Sequence, residues 1–155
     1  MAENAKSFLS EAQTALLRDV LDSIVPGGDG FPGAGGLGVA AHVDGVVGAS
    51  VALRGLFSDG LTAIEIACSN RYSRPFSEMS GDERLDVLRG VEAERPGFFY
   101  ELVKHTYAGY YATPRILGLL GLEQRAPQPL GYDMEPFDPS LTENVKRRGK
   151  VYRDV

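Results

Sequence analysis

Two reciprocal helix-start signatures constrain this chain more than any other feature. Ser10 is followed three residues later by Gln13, and Ser80 by Glu83. In each pair the serine hydroxyl accepts one of the backbone N–H groups that a helix leaves without partners at its start, and the longer side chain reaches back to the serine N–H. Each signature runs into apolar residues at helical spacing: Leu17, Val20, Leu21 and Ile24 up to Pro26, then Leu85, Leu88 and Val91 up to Arg95. Pro96 next fits the first turn of a new helix from about Gly97 to Ala112, because its missing N–H costs nothing there. Thr113 and Pro114 read as the cap and first residue of a short helix, Arg115 to Leu120, ended by Gly121.

Between these fixed points the reading is softer. Gly27 to Gly38 holds seven glycines and Pro32, which is loop chemistry. From Val39, the residues Val43, Val46, Val47, Leu53 and Phe57 share one helical face, although the valines, Gly45 and Gly48 keep a strand reading open. Asp59 then reads as the cap of a shorter helix through Leu61, Ile64 and Ile66 to about Asn70, with Tyr72 to Met79 a connection carrying Phe76. Beyond Leu122, Pro127, Pro129, Pro136 and Pro139 break up regular structure, while Leu130, Tyr132, Met134 and Phe137 keep the segment apolar. Ser140 and Glu143 mark a last helical turn or two ending near Gly149, in a basic stretch of Lys146, Arg147, Arg148, Lys150 and Arg153. The expected fold is all-α: a small bundle of five or six helices over about 8–122, with an extended, proline-rich C-terminal arm over 123–155. At 155 residues this is one domain.

Charge and composition remove several functions. A net charge of −5 opposes nucleic-acid binding through the overall field, although a local basic patch at the C-terminus leaves that reading as a third alternative. Cys68 is the single cysteine, so a disulfide framework, a CxxC pair and a cysteine-rich metal site are excluded. No apolar run is long enough to span a bilayer, and the opening MAENAKSFLSEAQ shows neither an apolar signal core nor a twin arginine, so no membrane insertion is expected.

The catalytic inventory is thin. Gly33, Gly35 and Gly38 match the GxGxxG spacing, but the motif needs a preceding strand, and a capped helix precedes it here. A plain loop is preferred; a small enzyme or cofactor-binding module built on loop 27–38 is the alternative. His42 and His105 stand apart from any metal-ligand spacing, and Glu101 with His105 reads as an ordinary one-turn helix pair. The pairs Asp19/Asp22 and Glu92/Glu94 read as solvated helix face, and Cys68 as a small buried hydrophobe. No catalytic, cofactor-binding or metal-binding residue is assigned.

The informative segment is RPGFFYELVKHTYAGYYATP. At 100° per residue Phe99, Leu102, Val103, Thr106 and Tyr110 form one stripe, and Tyr100, Tyr107 and Tyr111 form a second, about a quarter turn away. The second stripe is either an extension of a wide core face or an interface, where tyrosine combines apolar area with a polar end. Gly109, on the flank of the core stripe, reads as a close-packing residue.

FFYELVKHTYAGYYATP followed by LGLLGLEQRAPQPLGYD resembles the gluconate 2-dehydrogenase subunit 3 family. The likeness extends to IVPGGDGFPGAGGLGVAAHVDGVV and GDERLDVLRGVE, and its most specific residues are Thr106, Gly109, Tyr110, Tyr111, Pro114, Gln128, Pro129, Gly131 and Tyr132. The resemblance implies a small non-catalytic subunit of a membrane-associated flavoprotein sugar dehydrogenase. In that family the large partner resembles glucose-methanol-choline oxidoreductases and carries FAD, the small subunit supports its folding and often its export, and a multihaem cytochrome subunit often accepts the electrons. The expectation is therefore a hetero-oligomer, with no cofactor in this chain and FAD in the partner. Partner contacts are expected at Tyr100, Tyr107, Tyr111, Leu130, Tyr132, Met134 and Phe137, and structural roles at Gly109, Tyr110, Pro114, Pro129 and Gly131. Many family members begin with a twin-arginine signal. Its lack here implies that the partner carries the signal, that this start is not the native one, or that the complex stays in the cytoplasm.

Overall fold

The computed structural model describes residues 7–122 and 136–149. Seven α-helices follow one another among them: α1 (Glu11–Ile24), α2 (Val39–Ala49), α3 (Val51–Tyr72), α4 (Gly81–Glu94), α5 (Pro96–Tyr111), α6 (Pro114–Leu119) and α7 (Glu143–Arg148). Short 3₁₀ turns fill the connections, and the described residues include no strand, only one isolated bridge between Gly28 and Phe31. The all-α expectation holds, and the strand reading of 39–57 is set aside.

Both capping boxes close. Ser10 Oγ accepts from Gln13 N–H at 3.2 Å while Ser10 N–H donates to Gln13 Oε1 at 3.0 Å, and Ser80 and Glu83 repeat the arrangement at α4. Pro96 and Pro114 open α5 and α6. Thr113 stands at the N-cap position of α6, but its hydroxyl donates backwards to Gly109 O at 2.9 Å, so it ties α6 to the end of α5 instead of capping it.

The break expected at Asp59 lies instead at Ser50. Ser50 is extended, its hydroxyl accepts from Leu53 N–H, and the Arg54 guanidinium donates to Gly48 O at the end of α2. Asp59 sits inside the 22-residue α3, where continuous helix on both sides leaves no N–H for it to cap.

The core gathers Leu17, Val20 and Leu21 of α1, Val39, Val43 and Val47 of α2, Phe57, Leu61 and Ile64 of α3, Val87, Leu88 and Val91 of α4, and Phe98 and Leu102 of α5. Two faces are rotated from the sequence reading. Val87, not Leu85, is buried in α4, and Phe98 is buried in α5 while Phe99 is only half-buried. In α5, packing on α3 selects Phe98 over its neighbour Phe99. Phe98 meets Phe57 edge-on, with centroids 5.3 Å apart, and lies over Gly60, where a Cβ would come within 2.5 Å of its ring carbons. Helix α5 packs against α1, α2, α3, α4 and α6, which makes it the axis of the bundle.

Candidate partner interface

The central position of α5 makes its outward face unusual. Phe98, Leu102, Thr106, Gly109 and Tyr110 are buried, and the Thr106 hydroxyl among them is satisfied by donating to Leu102 O at 2.6 Å. Gly109 permits the closest approach to α2: a Cβ there would lie 2.8 Å from His42 Cδ2 and 3.0 Å from Val39 Cγ1. On the outer side Tyr100, Tyr107 and Tyr111 are 66%, 44% and 51% exposed. The core therefore uses one stripe of the helix and leaves the tyrosine stripe in solvent.

That stripe is ordered by its own contacts. Tyr107 and Tyr111, one turn apart, stack at a centroid distance of 6.1 Å, and Tyr111 meets the buried Tyr110 edge-on at 5.2 Å. Tyr110 Oη donates to Pro32 O at 2.9 Å, anchoring the helix to the glycine-rich loop, and burial pushes its phenol upward in pKa. Tyr100 carries Lys104 Nζ at 5.9 Å from its ring centroid, beside an open groove of about 430 Å³ lined by Pro96, Phe99 and Val103. Lys104 also pairs with Glu101 at 2.9 Å, holding that carboxyl below its usual range. His105 Nε2 lies 3.1 Å from Glu101 Oε2, off the line of a hydrogen bond.

Pro114 occupies the first turn of α6 at the surface. Leu119 at the end of α6, and Leu120 and Leu122 just after it, are exposed, an extension of apolar surface that the sequence reading missed. The signal was present: a six-residue helix offers a single inward turn, already filled by Ile116 and Leu117. Leu130, Tyr132 and Met134, with Pro129 and Gly131, lie outside the described residues. Phe137 is described and is 69% exposed.

The glycine-rich loop is filled from within. Gly35 N–H donates to Asp22 Oδ1 at 2.7 Å, and a Cβ at Gly35 would stand 2.5 Å from Asp22 Oδ2. Asp22 is thus no solvated surface acid, as its sequence pattern had implied; it is the half-buried organiser of this loop. A carboxylate holds the position where a phosphate would approach these glycines, and its charge repels one. Burial raises the Cys68 thiol above its ordinary pKa, which disfavours the nucleophilic thiolate. Among the described residues no three His, Cys, Asp or Glu side chains are placed to share a metal ion, and no helix is long and apolar enough to cross a membrane.

The described surface of this small helical bundle carries exposed aromatic and apolar side chains at Tyr100, Tyr107, Tyr111, Leu119, Leu120 and Leu122. The chain belongs to the gluconate 2-dehydrogenase subunit 3 family, whose model matches residues 11–134. The match takes in α1 to α6 and ends before α7. It places the protein among the small accessory subunits of gluconate 2-dehydrogenase-type complexes. No curated protein and no solved structure matches it.

Proposed function

We propose that this chain is the non-catalytic small subunit that binds and stabilises a large FAD-dependent oxidoreductase of the glucose-methanol-choline type acting on a sugar or alcohol. The observation that carries the reading is the exposed tyrosine stripe on the central helix of the bundle, at Tyr100, Tyr107 and Tyr111. Aromatic rings ordered by stacking lose little further entropy on docking, and their burial removes apolar surface from water. Leu119, Leu120 and Leu122 at the end of α6 and the apolar residues Leu130, Tyr132, Met134 and Phe137 extend the same contact. Oxidation chemistry belongs to the partner's flavin, and this chain contributes folding support and a covered apolar face. Its location follows that of the partner, including export where the partner carries a signal.

The test is co-expression of the flavoprotein with and without this chain, scored by the yield of soluble protein carrying bound flavin and by dye-linked alcohol oxidation. The proposal expects a large loss of flavin-loaded protein without the chain and no flavin binding by the chain alone. Equal yields of active flavoprotein in both cultures would overturn it.

A further inference from the structure

The glycine-rich loop between α1 and α2 is held more tightly than a connection needs. Gly28 and Phe31 exchange backbone hydrogen bonds at 2.9 and 2.8 Å across a two-residue turn at Asp29 and Gly30, whose φ values of 49° and 84° are the left-handed ones such a turn requires. Ala34 N–H donates to Val25 O at 3.1 Å, and Gly35 N–H donates to Asp22 Oδ1 at 2.7 Å. A Cβ at Gly33 would collide with the same carboxylate, so the loop lies directly on the end of α1. Pro32 sits between the tied residues Phe31 and Ala34, and its carbonyl is fixed in place by them. That carbonyl accepts from Tyr110 Oη at 2.9 Å. From there the contacts run outward: the buried Tyr110 ring meets Tyr111 edge-on, and Tyr111 stacks on Tyr107.

We infer that Tyr110 is a positioning residue of the partner interface: its hydroxyl, held by the Pro32 carbonyl, fixes the ring against which Tyr111 and Tyr107 are ordered for docking. This role rests on the partner-binding reading of the tyrosine stripe. A phenylalanine would satisfy burial at position 110 equally well. The hydroxyl adds a direction, because a hydrogen bond weakens steeply off its line. Without it the ring is free to tilt and to present a different edge to Tyr111, and a partner that needs the ordered stack must restore it on binding. Asp22 acts one contact further back, through the loop that carries Pro32. The cost to binding is bounded by what the hydrogen bond contributes to order, about 0.5–1.5 kcal/mol net, which corresponds to a roughly two- to ten-fold change in affinity.

The test is a double-mutant cycle on the full chain, with affinity for the flavoprotein read by titration calorimetry and folding verified by circular dichroism. Tyr110→Phe should weaken binding about two- to ten-fold, and Asp22→Ala, which loosens the loop without altering α5, should weaken it in the same direction. Tyr111→Ala should weaken binding by itself. In the Tyr111→Ala background, Tyr110→Phe and Asp22→Ala should each lose most of their effect, because the ring through which they act is gone. A merely structural hydroxyl would lower the melting temperature and leave the affinity of the folded protein unchanged, which would overturn the positioning role. Effects that add fully to that of Tyr111→Ala would overturn it as well. If Tyr111→Ala binds as wild type does, the interface reading of the stripe falls and this role with it. Unchanged binding by Tyr110→Phe and Asp22→Ala beside weakened binding by Tyr111→Ala removes the positioning role alone.

Discussion

Gly55 and Gly60 lie on the same helix and should respond to the same substitution with opposite signs. Both are interior positions of α3, so replacing either by alanine removes backbone freedom from the unfolded chain and favours helix by about 1 kcal/mol. At Gly55 the added methyl meets nothing within 4 Å. At Gly60 it falls on Phe98, with three ring carbons at 2.5 Å or closer, far inside normal carbon contact. Phe98 is 1% exposed and locked against Phe57, so the ring has nowhere to turn and α3 must separate from α5. Overpacking of that kind costs roughly 1–3 kcal/mol, and here the upper part of that range applies. Gly60→Ala is therefore expected to lose about 1–2 kcal/mol net, and Gly55→Ala to gain about 0.5–1 kcal/mol. At roughly 2–4 °C per kcal/mol for a domain of this size, the two melting temperatures should separate by about 3–12 °C. Thermal and urea unfolding followed by circular dichroism reads both quantities. A Gly60→Ala variant that melts above wild type, as Gly55→Ala should, would refute the close α3–α5 crossing.

Three further outcomes follow from the packing and capping. Gly109→Val should cost about 1–3 kcal/mol through Val39 and His42 of α2, and a neutral result in urea unfolding would remove the close-approach role of Gly109. Glu83 is held below the usual carboxylate range chiefly by the Ser80 N–H, so its contribution is present above the ordinary carboxylate pKa and is lost as pH falls through the depressed value. Glu83→Gln should flatten the acid limb of melting temperature against pH, and an unchanged limb contradicts the cap's role. Truncation after Leu122 should keep the helical spectrum of α1 to α6 while abolishing co-purification with the flavoprotein; lost helix signal would mean that the removed segment supports the bundle itself.

Much of the fold was legible because its boundaries are written in local chemistry. Ser10 with Gln13, Ser80 with Glu83, and the prolines at 96 and 114 act within four residues of themselves, so their helices begin where the sequence places them. Ser50 was passed over because its third following residue is Leu53, which cannot complete a capping box, and because the apolar run continues through it. The rotation from Phe99 to Phe98 and from Leu85 to Val87 was not readable, since each pair is equally apolar and only the neighbouring helix decides between them. The tyrosine stripe was visible as a periodicity, but its exposure depended on how the other helices surround α5. Asp22 was misread because its partner, Gly35, comes from a loop whose path no periodicity fixes.

The central claim is that the outer face of α5 serves a partner and not the fold, and one variant separates these roles. Changing Tyr100, Tyr107 and Tyr111 together to serine removes three exposed rings, of which Tyr111 meets the buried Tyr110 edge-on. The helical spectrum and a melting temperature within a few degrees of wild type should survive. Aromatic interface anchors are commonly worth about 1–2 kcal/mol or more each, so affinity for the flavoprotein should fall by a hundred-fold or more by titration calorimetry. A well-folded triple variant that binds and activates the flavoprotein as wild type does would contradict the account.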